Sequence, residues 1–220
     1  MADPGLFAPR DDSEVEALIA AAPLAWVVSA TGGPPLATPL PLLIAHGWAG
    51  RAPPRLIGHF ARTNPQVERL RREPQALLLF MGPNAYVSPS WMADRRQAPT
   101  WNYACAQLHA TIRFQDAPGD AEAAVTRLAN LMEQGRPGAW SPAEMAERLA
   151  RLARGVVAFE AEVSGTTAKF KLGQDERRDV FADILAGLSQ SGHAELALWM
   201  QSFVMTPSDG PTNPSLAKKV

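Results

Sequence analysis

The sequence has 220 residues, a formal net charge of −1 and 20 % charged residues, which is the balance of an ordinary globular protein. A chain with so little net charge lacks the strongly basic surface that nucleic-acid binding usually requires. A single cysteine, Cys105, excludes an internal disulfide and predicts a cytoplasmic protein. We find no signal-peptide pattern in the first ten residues, and no stretch approaches the roughly 20 apolar residues of a membrane span.

The first half of the chain predicts short strands joined by turns. Residues 13–16, Ser-Glu-Val-Glu, fit a capping box that opens a helix ending near Ala22. Residues 24–29 and 36–44 are predicted strands of one hairpin, with Thr, Gly and Pro in the turn between them. Alternation over residues 55–60 predicts a further strand.

A short helix is predicted next, with Asn64 as its N-cap and Pro65 in its first position. Six arginines and a single acid lie between residues 51 and 72, and Arg62 comes just before the helix start. Free N–H groups at a helix N-terminus attract phosphate, and a neighbouring arginine adds to the attraction. An ordinary solvated helix face is the alternative, and these residues alone leave both open.

The stretch from Met81 to Phe114 is rich in aromatic side chains with small polar neighbours, and it contains both tyrosines and two of the six tryptophans. We predict a strand up to Met81, a long aromatic loop, and a second strand over residues 107–114. Large flat side chains beside hydroxyl and amide groups are typical of a site for a planar ligand. An aromatic core patch beneath a loop is the alternative, since tryptophan is mostly buried.

Within the second strand, the alternation places Leu108, Ala110 and Ile112 on an apolar face and His109 on the polar face. A lone histidine is more often structural than catalytic, and the sequence identifies neither a catalytic residue nor a metal site around it. Helices are predicted over residues 120–134, 141–153, 175–189 and 193–203, with a strand over 155–163.

These elements predict an α+β fold that is mainly antiparallel β, with peripheral and C-terminal helices, because strands joined by short turns favour an antiparallel barrel. No Rossmann fingerprint, P-loop or zincin motif occurs in the sequence. We predict one domain over residues 1–205. The remaining residues, 206–220, have the Pro, Ser, Gly and Lys content of a disordered tail.

Four blocks occur in order along residues 20–200: GHFARTNPQ at 58–66, GPNAYVSPSW at 82–91, PTWNY at 99–103, and GVVAF at 155–159 with KFKL at 169–172. With these blocks, the chain resembles the PaiB family of FMN-binding negative transcriptional regulators, which is related to the split-barrel flavoproteins typified by pyridoxamine phosphate oxidase. The resemblance implies a six-stranded FMN-binding split barrel. It also implies a homodimer with one FMN in each of two clefts between the subunits.

The resemblance assigns two groups of residues to FMN. Those around the phosphate and ribityl chain are His59, Arg62, Thr63, Asn64 and Gln66. Those on the isoalloxazine side and at the dimer contact are Tyr86, Ser88, Ser90, Trp91, Trp101, Asn102 and Tyr103, with His109 nearby.

Two further functions stay open at this point. The additional basic residues that pyridoxamine phosphate oxidases use for a second phosphate are not evident here, so an FMN-dependent oxidoreductase acting on another small substrate is one alternative. A haem-binding split barrel with a histidine ligand is the other. DNA is a candidate partner that neither the charge nor a helix-turn-helix motif supports.

Overall fold

The computed structural model describes residues 4–50, 52–145 and 147–205 and confirms the antiparallel α+β fold. The predicted tail at 206–220 lies outside the described residues. The chain divides into two compact units. The first comprises Met1–Asn84 and Tyr103–Phe170, and the second comprises Ala85–Asn102 and Lys171–Val220.

One sheet contains seven strands in the order β2-β1-β5-β6-β7-β4-β3. Their bounds are β1 Leu24–Ser29, β2 Leu36–Pro41, β3 Leu43–His46, β4 Arg55–Ala61, β5 Gln75–Val87, β6 Thr100–Gln115 and β7 Val156–Lys171. The helices are α1 Asp12–Ala21, α2 Pro65–Arg72, α3 Asp120–Glu133, α4 Glu147–Ala153, α5 Arg178–Gln190 and α6 Ala194–Met205, with short 3-10 turns at Pro4–Phe7, Pro89–Trp91 and Pro142–Met145.

The expected six strands become seven because the predicted strand at 36–44 is divided at Leu42. The Leu42 N–H donates to the carbonyl of Pro23 at 2.8 Å, which continues the β1–β2 pairing by one residue before the chain enters β3. β2 then pairs with β1, whereas β3 pairs with β4. β2 and β3 are the two edge strands of the sheet, and only Leu42 separates them along the chain. The two edges therefore lie close together, as in a barrel.

The cap of α1 differs from the predicted capping box. Asp11 is the N-cap and accepts a hydrogen bond from the Ser13 N–H at 2.9 Å. The Glu16 carboxylate, which was expected to reach back to the cap, instead accepts from the Trp48 N–H at 2.7 Å. An aspartate is an equally good cap, and the Glu16 bond holds the segment after β3 to the helix.

The predicted aromatic loop is wrong over most of its length. β5 continues to Val87 and β6 begins at Thr100, so only residues 88–99 connect the two strands. Gly82 lies within β5, and a Cβ there would lie 2.4 Å from Leu18 Cδ1. Glycine at this position thus admits a side chain of α1 against the strand and does not end it.

The first unit has its core between the sheet and α1 and α2. Phe60 on β4 and Phe159 on β7 are fully buried, with ring centroids 5.1 Å apart. The alternation predicted for β6 is confirmed, because Leu108 and Ala110 are buried while His109 is exposed. His59 on β4 lies opposite Ala158 on β7. This pairing fixes the position of β4, the strand that leads to α2.

In the second unit, α5 and α6 form a helical pair. Val180, Ile184 and Leu188 are buried along one face of α5, as the apolar spacing predicted. Trp91 packs against the same helix at Gly187, where a Cβ would lie 2.4 Å from the indole ring. A side chain at position 187 would therefore displace the tryptophan.

Candidate functional site

The start of α2 is fastened to the β1–β2 hairpin through its cap. Asn64 is the N-cap, as predicted, and its Oδ1 accepts from the Gln66 N–H at 2.8 Å. Its Nδ2 donates to Thr38 Oγ1 at 3.0 Å. Both ends of the amide are used, so this helix start has a fixed position against β2.

Gln66 is buried, with 1 % of its surface exposed. Its Nε2 donates to the Val27 carbonyl at 2.9 Å, and its Oε1 accepts from Thr38 Oγ1 at 2.7 Å. Buried polar groups need such partners, so the side chain has a structural role between α2 and the hairpin. Its predicted contact with the flavin stays a prediction.

Arg62 presents a positive charge beside this helix start. Its main-chain N–H donates to the Gly155 carbonyl at 2.9 Å, and its Nε donates to the Arg154 carbonyl at 3.1 Å. The side chain is 46 % exposed, and Nη1 lies 3.7 Å from Asp116 Oδ1. The guanidinium is thus oriented by the main chain while part of it faces solvent, and Thr63 is exposed next to it.

The sequence analysis did not identify Asp116, whose carboxylate lies close to the guanidinium of Arg62. The Asp116 carboxylate receives two hydrogen bonds from Arg71 and lies near Arg62. The only signal was its position directly after the alternating strand, and strand alternation does not report on charge pairing across the fold.

His59 lies half-buried on β4, three residues before Arg62. Burial lowers the pKa of its imidazole below the ordinary 6.5, because a low-dielectric surrounding disfavours the charged form. At neutral pH the ring is therefore uncharged, and it can offer a hydrogen bond but no charge.

Tyr103 and His109 also belong to the first unit, on β6. The Lys169 Nζ lies 5.9 Å from the centroid of the Tyr103 ring, which is the geometry of a cation–π contact. The imidazole of His109 is exposed, and its main-chain carbonyl accepts from Ser164 Oγ at 3.2 Å.

In the second unit, Tyr86 and Trp101 form an exposed aromatic pair. Their ring centroids lie 6.3 Å apart with a 57° tilt. Tyr86 is 47 % exposed and Trp101 is 51 % exposed. Large rings left this open on a folded surface indicate a contact surface for a ligand or a protein.

The other predicted residues of this unit mainly support its own structure. Ser88 caps the 3-10 turn by accepting from the Ser90 N–H at 3.2 Å, and the two hydroxyl oxygens are 2.8 Å apart. Trp91 packs on Gly187. Asn102 is 2 % exposed, and its Nδ2 lies 3.6 Å from Met200 Sδ.

The antiparallel sheet with its flanking helices has the fold of the split barrels. Its fold matches a flavocytochrome of Azotobacter vinelandii with a TM-score of 0.56 and 16 % identity, over 77 % of this chain and 72 % of that one. It also matches a FAD- and haem-binding protein of Mycobacterium smegmatis with a TM-score of 0.53 and 18 % identity, over 81 % of this chain and 79 % of that one. At such low identity these likenesses show the fold alone.

Sequence similarity defines the family. The family described as "Putative FMN-binding domain" matches residues 1–165. "Protease synthase and sporulation protein PAI 2" of Bacillus subtilis is 31 % identical over 168 residues, which are 74 % of this chain and 76 % of the relative. The chain therefore belongs to the PaiB family of FMN-binding proteins, and FMN is its cofactor.

The residues at the start of α2 fit the chemistry of a phosphate group. A half-exposed arginine and an exposed threonine hydroxyl lie side by side just before the capped helix start, and these two donors suit an anion such as a phosphate. Among the described residues, we find no helix with the length and hydropathy required to cross a bilayer.

Proposed function

We propose that this protein is a homodimeric, cytoplasmic PaiB-type negative regulator that binds the FMN phosphate at Arg62, Thr63 and Asn64. The observation that carries the proposal is the half-exposed guanidinium of Arg62, whose Nε donates to the Arg154 carbonyl beside the start of α2. A charge that is already oriented loses little entropy when it binds an anion. The neutral imidazole of His59 supplies a further hydrogen bond to the ribityl–phosphate part.

For the second unit, we assign Tyr86 and Trp101 to the planar face of a flavin. Aromatic pairs stabilise stacked or tilted rings by about 0.5–1.5 kcal/mol beyond the area they bury. The polar atoms of Ser88 and Ser90, 2.8 Å apart, lie two to four residues after Tyr86 and can donate to the polar edge of such a ring.

An exposed apolar face in the first unit supports the homodimer. Leu24 and Trp26 point to one side of β1 and are 62 % and 51 % exposed. Trp26 pairs with Leu79 on β5, so Met81, two residues further along and 55 % exposed, lies on the same side. A contiguous apolar face of this kind indicates a protein interface, and a second copy of the chain is the partner we assign to it.

The regulatory part of the proposal has two supports. The family resemblance carries the regulatory name, and the Bacillus subtilis relative is named for protease synthesis and sporulation, which fits control of the synthesis of other proteins. The helical pair α5–α6 does not serve as a DNA reader, because α6 contains no lysine or arginine and recognition helices need such contacts to phosphate and bases. Any regulation by this protein is therefore expected not to use α6 as a recognition helix.

Transcript levels would test this function. A strain without the gene should show raised levels of a defined set of transcripts, wild-type complementation should restore them, and the Arg62→Ala variant should not. An unchanged transcript profile in the deletion strain would refute the regulatory role. Steady NAD(P)H consumption by the FMN-loaded protein would instead identify an oxidoreductase.

A further inference from the structure

A cavity in the first unit lies apart from every residue assigned to FMN. Its volume is about 540 Å³, within the range of about 300–1,000 Å³ that is typical of small-molecule sites. Its walls are formed by α1, by the segment around β3 and by α3, and its apolar lining consists mainly of Ile19, Pro23, Leu42, Leu43, Ile44 and Leu131.

Helix α3 packs loosely over this cavity. None of its 14 residues is buried. Leu131, which lines the cavity, is 45 % exposed. A second, smaller cavity of about 210 Å³ lies between α3 and β4, and Arg127 lines both. Two concave sites beside one helix, the larger with a mainly apolar lining, leave room for an apolar ligand.

The rim of the larger cavity is polar on one side only. Arg127 and Asn130 lie at helical spacing on one face of α3, Gln134 is the C-cap residue of the same helix, and all three line the cavity. The opposite walls carry aliphatic side chains. A ligand that matches this distribution has an apolar body and one polar head.

Arg127 determines the charge of that head. Its Nη2 donates to the Ile44 carbonyl at 3.1 Å, which anchors the guanidinium at the cavity edge. The acids of the smaller cavity are engaged elsewhere, since Glu160 pairs with Arg55 at 3.6 Å and Asp120 accepts from the Ala117 N–H at 2.8 Å. An arginine has five donors, so the anchored guanidinium keeps donors for a carboxylate.

From this arrangement, we propose that the cavity between α1, β3 and α3 binds a small monocarboxylate with an apolar tail, with the carboxylate on Arg127 and the tail against Leu42, Leu43 and Leu131. The site belongs to the first unit and is separate from the start of α2. Its occupant therefore binds together with FMN and does not compete with it.

Calorimetry on the FMN-loaded full chain with octanoate tests this proposal, and 1-octanol serves as the uncharged probe. We expect saturable octanoate binding, about tenfold or more weaker binding of 1-octanol, and a loss of about tenfold or more in octanoate affinity for Arg127→Gln. Arg136→Gln is the matched control, because Arg136 lies beyond the end of α3, pairs with Glu133 and does not line the cavity. Its octanoate affinity should equal that of the wild type.

A second variant, Ala20→Trp, tests the cavity without changing Arg127. Ala20 is exposed at the cavity wall, so Ala20→Trp should fold, retain FMN and block octanoate. The absence of saturable octanoate binding, equal affinities for octanoate and 1-octanol, or unchanged octanoate binding in both Arg127→Gln and Ala20→Trp would overturn the proposal. FMN content, read from the flavin absorbance, reports separately on the function proposed above.

Discussion

Arg71 binds Asp116 through two parallel hydrogen bonds, Nη1 to Oδ2 and Nη2 to Oδ1, each 2.8 Å long. These bonds hold the pKa of the Asp116 carboxyl below its ordinary 3.8, with a smaller contribution from the charge of Arg62. Arg62 lies 3.7 Å from the same carboxylate. Arg62, the proposed phosphate-binding residue, and Arg71 thus share the Asp116 carboxylate in the absence of a ligand.

Asp116→Asn should strengthen FMN binding slightly and weaken the fold slightly. Removing the carboxylate takes a negative charge away from Arg62, so this arginine should attract the FMN phosphate more strongly. Because the Arg62–Asp116 pair is exposed, we expect FMN affinity to rise by only about twofold to threefold. The free energy of unfolding at pH 7 should fall by about 0.5 kcal/mol. Calorimetry with FMN and urea unfolding measure the two effects.

The stability effect of Asp116 should depend on pH in a defined direction. Because folding lowers this pKa, the stabilisation is fully present above pH 3.8 and is lost as the pH falls through the lower pKa of the folded state. The difference between the wild type and Asp116→Asn should therefore shrink in an acid series. A difference that grows as the pH falls would contradict this account.

Arg62→Ala should lower FMN affinity by about 1.5–3 kcal/mol, which is the range for a lost hydrogen bond to a charged group. Arg72→Ala is the control, because the Arg72 side chain is 79 % exposed and pairs with Glu68 one turn earlier on the same helix. It should leave affinity almost unchanged. Equal losses in both variants would indicate a general basic surface and not a site at the start of α2.

The pKa of His59 offers a direct test of where the phosphate lies. An NMR titration of the FMN-free protein should give a pKa below 6.5, because the ring is half-buried. A bound phosphate dianion nearby should raise that pKa, since it favours the imidazolium. An FMN-independent titration of His59 would place the phosphate elsewhere.

His59 also contributes to the dependence of stability on pH. Its folded-state pKa is lowered, so the unfolded chain takes up the proton first as the pH falls. The free energy of unfolding should therefore decrease as the pH falls below 6.5 and level off below the folded-state pKa. This component should disappear in His59→Gln.

Gln66→Met separates a structural role from a role in cofactor binding. The change removes the donor to the Val27 carbonyl and the acceptor for Thr38 while it keeps the side-chain volume. Unfolding by urea should show a loss of about 1–3 kcal/mol, the cost of leaving buried polar groups without partners. If the folded variant instead binds FMN about tenfold more weakly at full stability, Gln66 contacts the cofactor.

Trp26→Glu should dissociate the proposed dimer, because it places a charge on the exposed apolar face of β1. Sedimentation should show a dimer for the wild type and a monomer for the variant. Leu152→Glu is the matched control, since Leu152 is 51 % exposed, as Trp26 is, but lies on α4. A dimer that survives Trp26→Glu would rule out this interface.

The sequence correctly predicted those helices and strands that are specified by patterns a few residues long. β1 and the capped start of α2 were found at their correct residues, because β-branched side chains and an Asn-Pro pair act locally. The extension of β5 was missed because the aromatic and small polar residues after Met81 were interpreted as a loop, and the close approach of Leu18 to Gly82 is a tertiary contact that the sequence does not show. The division at Leu42 was missed for the same reason, since the two strand pairings that define it lie far apart in sequence.

The candidate site shows the same limit. The N-cap at Asn64 could be predicted from the sequence because a helix start is a local feature. The burial of Gln66 and Asn102 depends on distant partners, namely the β1–β2 hairpin for Gln66 and α6 for Asn102. The hydrogen bonds of these two side chains within the fold could therefore not be predicted from the sequence, and their contacts with FMN, which the family resemblance implies, stay predictions.

The pairing of β4 with β7 joins Arg55 to Glu162 and Ala61 to Val156. A ribosome that adds roughly 5–20 residues per second needs about 5–20 s to make the intervening segment. Throughout that time the edge of β4 that later meets β7 has no partner, and an open strand edge can pair with another chain. Nascent chains that stall before residue 156 should therefore aggregate or recruit chaperones, whereas chains that have passed residue 162 can cover this edge themselves.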